Sequence, residues 1–318
     1  MRGKIIRIDK AVAEVHSPQG VFRCALRGKY KKGPREARNV VAVGDNVVFS
    51  RTSEAEGVIE EVLERSSRIS RPDILNPKIE HVLLANLDIV VVVASIDDPP
   101  LNAGLVDRYI ASVLAHELQL LLVFNKSDLA MDDETRMIIE EYRSMGIDLL
   151  LTSCNTGEGI EQLRARLAGR TSVFTGMSGV GKSSLIAKLI PGYVPRVAEV
   201  SDKTGKGKHT TTFVTLLRSE DGGYIADTPG LKLFGIWGVP RDELAFFFPD
   251  IAPFKSECRF NNCLHRIEPG CAVREAVENG KISRRRYNSY LQILKDLIEM
   301  EETIDPHMRR DKLLNDMI

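Results

Sequence analysis

The stretch Gly176-Met177-Ser178-Gly179-Val180-Gly181-Lys182-Ser183, followed by Ser184, constrains this chain more than any other. Three glycines within six residues keep side chains off the backbone N–H groups and open the left-handed region to the turn. Ser172–Thr175 reads as a strand running into it, and Leu185, Ile186 and Leu189 recur at helical spacing beyond it. A strand, a glycine-rich turn and a helix N-terminus together make a phosphate cradle, with N–H groups and the helix dipole facing the anion. In such a cradle Lys182 reaches the terminal phosphates and the Ser183 hydroxyl ligates Mg²⁺. A plain glycine-rich turn between a strand and a helix is the competing reading.

A strand–turn–helix unit of this kind belongs in an α/β domain, and the surrounding pattern agrees. Strand-like Asp88–Ile96, Leu120–Phe124, Leu149–Thr152 and Ser172–Thr175 alternate with helical 105–117, 134–145 and 160–167. That alternation predicts a parallel sheet with helices on both faces. Residues 1 to about 72 differ. Short β-type runs around Ile6, Ile8, Val12, Val15, Val21 and Phe22, then Val40–Val43 and Val47–Phe49, suggest a small barrel, with the OB-fold a candidate. Cys24 falls in an apolar strand and reads as core. Between Arg27 and Arg38 six cations face one acid, either a solvated loop or a loop that contacts phosphates. The chain of 318 residues therefore reads as a multidomain α/β protein, at ~150 residues per domain. The expected domains are a barrel over 1–72, a permuted P-loop domain over 73–235, and a metal-binding, helical module over 236–318.

Three further motifs define the ligand. Asp227-Thr228-Pro229-Gly230 follows strand-like Tyr224-Ile225-Ala226, so Asp227 suits Mg²⁺ held through water and Gly230 leaves an N–H for a γ-phosphate. Asn125-Lys126-Ser127-Asp128 ends the strand 120–124. Guanine presents N1–H and N2–H₂ donors side by side, which the Asp128 carboxylate accepts together; adenine leaves that carboxylate unpaired, a mismatch that discriminates strongly. Asn125 can tie this loop to the phosphate loop, and the Lys126 stem can cover the base. Thr152-Ser153-Cys154 ends the next strand and offers backbone N–H to the guanine O6, with Ser153 and Cys154 in the base loop. The motifs together select GTP and GDP over adenine nucleotides.

Their order is unusual. The base motifs at 125–128 and 152–154 precede the phosphate loop at 176, whereas ordinary GTPases run the other way. A compact domain with adjacent termini tolerates such a cut, and Ala168-Gly169-Arg170 would join the former ends. Between the phosphate loop and Asp227 lies Lys203–Thr212, a Gly/Lys-rich segment suited to a switch that orders with GTP. One of Thr210, Thr211 and Thr212 should ligate Mg²⁺, and Thr211 is preferred. Leu231 stands where Ras-like enzymes carry a water-orienting glutamine, so another group must act. His209 is the candidate, against a merely exposed or structural histidine. The same loops would also serve a GTP-gated RNA-binding checkpoint, in which occupancy matters more than turnover.

Cys258-x4-Cys263-x-His265-x5-Cys271 places three thiols and an imidazole within fourteen residues, followed by helical residues from Ala272 and over 285–302. Cys₃His suits one tetrahedral structural Zn²⁺ per chain. Five cysteines, an odd number, argue against a disulfide framework. Formal net charge is zero, so nucleic-acid binding requires local basic patches. Met1-Arg2-Gly3-Lys4 leads into Ile5-Ile6-Arg7-Ile8 with no apolar signal region, and the run Ile89–Ala94 falls far short of the ~20 residues of a membrane helix. A cytoplasmic, membrane-free monomer is expected.

With these residues in view, the chain resembles the bacterial ribosome small-subunit-dependent GTPase A family, also called the YjeQ/YloQ type. The resemblance rests on Asn125–Asp128 ahead of Gly176–Ser183, on Gly205–Thr212 and Asp227–Gly230, and on Cys258–His265 through Glu268-Pro269-Gly270-Cys271. It implies an OB-fold N-terminal domain, GTP hydrolysis stimulated by the small ribosomal subunit, a late role in that subunit's maturation, and rRNA contact through the barrel and zinc domains. Lys206 and Lys208 stand where members of the family usually carry arginines.

Overall fold

The computed structural model describes residues 1–9, 12–26, 41–72, 80–194, 214–228 and 239–304. In chain order its elements are β1 (Arg2–Asp9), β2 (Val12–Ser17), β3 (Gly20–Leu26), β4 (Asn46–Arg51), β5 (Glu56–Val62), β6 (Arg68–Pro72), β7 (Glu80–Ala85) and β8 (Ile89–Ser95). Then come α1 (Ala103–Ala115), β9 (Gln119–Asn125), α2 (Asp133–Ser144), β10 (Leu149–Thr152), α3 (Ile160–Leu167), β11 (Thr171–Thr175) and α4 (Lys182–Leu189). Strands β12 (Thr215–Arg218) and β13 (Tyr224–Asp227) follow, and then α5 (Ala252–Lys255), α6 (Ala272–Glu278) and α7 (Arg284–Ile304). Two compact units result: Met1–Leu101 with Leu118–Asp132 and Asp148–Leu233, and Asn102–Glu117 with Asp133–Ile147 and Phe234–Ile318.

In the first unit, β1–β5 close a barrel in the order β1-β2-β3-β5-β4, with β4 returning to β1. Only β3 and β5 run parallel. This is the five-stranded connectivity of an OB-fold. Period-two burial builds its interior: Phe22 and Cys24 point inward while Val21 and Arg23 face out. Ile5, Ala13, Val15, Val47, Phe49 and Ile59 complete the core, and Cys24 is a core residue as read. One sequence expectation changes here, and one strand goes beyond what the sequence reading named. Val41–Val43 is buried but forms no strand, because the Asp45 carboxylate accepts the Ala42 N–H at 2.7 Å and folds the segment into a turn. Conversely β5, interrupted by Glu60 and Glu61, has no apolar run to betray it and closes the barrel through Ile59.

The second sheet of this unit runs β10-β9-β8-β11-β13-β12. Its first five strands are parallel, and β12 lies antiparallel on β13 at the edge. β8 is buried along its whole length, as a strand flanked by parallel neighbours must be. Leu163 and Leu167 of α3 and Leu185, Ile186 and Leu189 of α4 cover one face, against Val91, Val93, Leu121 and Val123. β12 also pairs with β1 at Arg7 and Thr215, so the barrel and this sheet are hydrogen-bonded into one continuous surface.

The second unit buries Val273, Ala276 and Val277 of α6 against Tyr287, Tyr290, Leu294 and Leu297 of α7, with Leu244, Phe248, Ile251 and Ala111. Among the described residues no helix is long and apolar enough to cross a membrane.

Candidate functional site

Parallel strands end together, and their carboxyl edge is where an open α/β sheet holds ligands. The register sets Ser95, Asn125 and Thr152 side by side at that edge. β11 ends beside them at Thr175 and gives way to the phosphate loop. There Gly176 has φ +143° and Gly181 φ +94°; a Cβ at the first would overlap the Val93 carbonyl and at the second the Asn125 amide. The glycines thus let the loop lie against β8 and β9. Lys182 opens α4, and its ammonium donates to the Gly176 and Met177 carbonyls at 3.0 and 2.5 Å. Burial lowers the pKa of that lysine. Ser183 and Ser184 stand exposed in the first turn, as do Ser178 and Gly179 in the loop, while Val180 is buried.

The join between the two motifs is direct. Asn125 Nδ2 donates to the Val180 carbonyl at 2.9 Å, and Thr152 Oγ1 donates to Asn125 Oδ1 at 3.1 Å. Asp128 is exposed, yet both its oxygens are held: Ser153 Oγ donates to Oδ1 at 2.5 Å and Asn155 Nδ2 to Oδ2 at 2.9 Å. The Ser153 hydroxyl, and then the Asn155 amide, keep this carboxyl below its ordinary pKa. Each carboxylate oxygen has two acceptor positions, so a base edge can still donate to the pair. Cys154 is half-buried, 3.9 Å from Asn125 Oδ1. Lys126 has φ +64°, a strained value for a side-chain-bearing residue, and its ammonium donates to the Asp98 carbonyl. Ser127 Oγ donates to Glu158 at 2.6 Å. Asp227 closes β13, half-buried, one residue beyond the Ala226–Val173 pair.

Sequence reasoning did not anticipate Asn155 and Glu158, which brace the base loop, nor Pro99, against which Gly179 packs. Asn155 and Glu158 lie within three and six residues of Thr152, and their polarity alone gives no signal of partner. His209, Thr211 and Gly230, with the rest of Lys203–Thr212, Leu231 and the basic segment 27–38, lie outside the described residues.

The second constellation joins Cys258, Cys263, His265 and Cys271, whose ligand atoms all lie within 4.8 Å of one another. His265 Nδ1 is 3.5 Å from Cys258 Sγ and 3.4 Å from Cys271 Sγ, and those two sulfurs are 4.0 Å apart. A tetrahedron with 2.3 Å Zn–S bonds spaces its sulfurs about 3.8 Å apart, so the donors fit a metal of that kind. The other ring nitrogen, Nε2, is buried with no partner among the described residues, so the imidazole's polar engagement is with the sulfurs. Burial pushes the Cys263 thiol up to about 12 and the imidazole down to about 4, which keeps the ring neutral and fit to be a ligand. Glu268 fixes the loop by accepting N–H bonds from Leu264, Arg266 and Ile267. Tyr287 and Tyr290 hold it from α7 through the His265 and Leu264 carbonyls. The cluster can therefore hold a metal ion.

A phosphate loop bonded to a base loop that precedes it in the chain, at the carboxyl edge of a parallel sheet, defines a circularly permuted GTPase. A family profile described as RsgA GTPase matches residues 62–237. A small ribosomal subunit biogenesis GTPase RsgA from Chlorobaculum tepidum is 44% identical over 309 residues, spanning 94% of this chain and 99% of that one. The crystal structure of YjeQ from Thermotoga maritima superposes with a TM-score of 0.75 at 32% identity, covering 93% of this chain and 98% of that one. That of YloQ, described as a circularly permuted GTPase, gives 0.72 at 29% identity over 94% and 95%. The chain belongs to the RsgA GTPase family.

Proposed function

We propose that this protein hydrolyses GTP to GDP and phosphate in the late maturation of the small ribosomal subunit, which it meets through its rRNA. The observation that carries the nucleotide reading is the Asn125–Val180 bond, which joins two motifs 55 residues apart in the chain. The names of the relatives support the ribosomal role. In this reading Asp128 takes the N1–H and N2–H₂ of guanine, Ser153 and Cys154 face its O6, and the Lys126 stem covers its ring. The backbone of Gly176–Gly181 surrounds the phosphates, and Lys182 leaves the two loop carbonyls to reach them. Ser183, Asp227 and Thr211 would hold Mg²⁺, which neutralises the β- and γ-phosphate charge when bound. Gly230 donates its N–H to the γ-phosphate, and His209 positions the attacking water. Cys258, Cys263, His265 and Cys271 hold zinc, and the cytoplasm is the compartment where this substrate and partner occur.

The test is GTP turnover by the full chain with and without small ribosomal subunits, at fixed salt and Mg²⁺. Turnover is slow alone and rises on the order of 10³-fold or more if the subunit completes the transition-state shell. Bound GTP without stimulation would retain the nucleotide site and remove the partner. His209→Ala should abolish the stimulation and leave GTP affinity near normal; stimulation that survives removes the histidine from the mechanism.

A further inference from the structure

A cleft of about 610 Å³ opens within the first unit where the barrel meets the β12–β13 hairpin, lined among others by Arg2, Lys4, His16, Asn46, Arg218 and Tyr224. No carboxylate lines it among the described residues. Its hydrogen bonds reveal what it offers. Arg218 Nη1 lies 3.3 Å from His16 Nε2, and a guanidinium only donates, so Nε2 carries the lone pair. The ring proton is therefore on Nδ1, which donates to the Tyr224 hydroxyl at 2.7 Å. That leaves the tyrosine O–H proton to donate outward, since the phenol has no other hydrogen-bond partner among the described residues. Neither Arg2 nor Arg218 is paired with a carboxylate among the described residues, and both are exposed. Lys4 contributes less, because it donates to the Gly44 carbonyl at 3.3 Å and lies near Asp45 and Asp88.

The cleft thus sets several donors beside apolar Pro18, Val47 and Leu63, two of them guanidinium groups with no carboxylate partner among the described residues, and its size accommodates a whole ligand and exceeds one phosphate. We propose that it binds the phosphodiester backbone of single-stranded RNA, with Arg2 and Arg218 as the cations and the Tyr224 hydroxyl as a third donor. This rests on the reading of the chain as an rRNA-binding GTPase and gives that contact an address. Arg218 and Tyr224 lie on the hairpin that ends in Asp227, so a strand held there touches the element that carries a residue proposed for the Mg²⁺ site.

The experiment compares the full chain with Arg2→Ala, Arg218→Ala, the double variant and Tyr224→Phe. Two probes are used: a fluorescent uridine oligonucleotide of about a dozen residues, and small ribosomal subunits. Each lost guanidinium should lower the slope of log affinity against log salt by about 0.7. The double variant should bind the oligonucleotide at least about tenfold more weakly, with unchanged thermal midpoint and unchanged affinity for a fluorescent GTP analogue. It should also need more small subunit for half-maximal stimulation of GTP turnover. Unchanged oligonucleotide affinity and slope in the double variant overturn the cleft, while stimulation of the wild type by small subunits keeps the functional reading. Weakened oligonucleotide binding with no response of the wild type to small subunits does the reverse. Full displacement of the oligonucleotide by inorganic phosphate at matched ionic strength would make this a single-phosphate site and also overturn the proposal.

Discussion

Asp128 shows how much can rest on one exposed carboxylate. Its two oxygens are aimed by Ser153 and Asn155 before any base arrives, which lowers the ordering cost of recognition. Asp128→Asn should cost on the order of 10²-fold in GTP affinity, because an amide N–H then meets the guanine donors. The same variant should gain affinity for a xanthosine nucleotide, whose 2-carbonyl accepts that N–H; competition against a fluorescent GTP analogue measures both. The charged carboxylate is the form that accepts, so affinity is full above its pKa and falls as pH drops through it. Because its neighbours lower that pKa, affinity should hold into the acid range. Ser153→Ala removes the leading cause and should move the acid loss to higher pH, read from affinity titrated against pH. An unmoved acid limb would assign the loss to another group.

At the level of elements, α7 is anchored by charge as well as by apolar burial. Arg286 is 1% exposed and forks onto Asp250 at 3.0 and 2.6 Å, while its third nitrogen meets Asp107, which is fully buried, at 2.6 Å. Tyr142 donates to the same Asp107 at 2.6 Å, and Arg285 bonds Asp107 and Glu141. α1, α2 and α7 converge on this cluster. Arg286→Ala strips Asp250 of its cation and leaves Asp107 to Arg285 and Tyr142, and should cost about 3–5 kcal/mol in a urea titration, since under-compensated buried charge is the penalty. A loss below about 1 kcal/mol would mean water reaches the cluster. The Cys₃His loop should carry about one zinc per chain by elemental analysis. Stripping it with a chelator, or substituting Cys263→Ser, should make 258–271 susceptible to limited proteolysis while α3 and α4 stay protected. Protection retained after complete metal loss would show that Glu268, Tyr287 and Tyr290 hold the loop unaided.

For the molecule as a whole, chain order and spatial order part company. The sheet runs β10-β9-β8-β11-β13-β12, so the strands ahead of the phosphate loop lie on one side of it and those behind on the other. What makes this possible is the turn 168–170, where Gly169 has φ +69° and open space around it. Lengthening that turn by about four glycine and serine residues should cost on the order of 1 kcal/mol and leave GTP affinity intact. A collapse of affinity would show that the link tensions the phosphate loop and does not merely connect it.

The sequence by itself determined what depends on local pattern: the phosphate loop, the base loop, their permuted order and the grouping of three cysteines and a histidine at 258–271. Short spacings and backbone-driven turns leave such features little freedom. Helix and strand periods placed most of the α/β elements within two residues, because burial on one side imposes a repeat. The tertiary structure alone decided what depends on partners distant in the chain. It closed the barrel through β5, turned Asp45 into a cap for Ala42, and gave Asn155 its carboxylate. It also took Arg286 and Tyr287 inside: Arg286 is paired to Asp107 and Asp250, and Tyr287 holds the His265 carbonyl. A charged side chain looks the same in sequence whether it meets water, an anion or a buried acid. The fold chooses, by bringing a carboxylate from 179 residues away to within hydrogen-bonding distance.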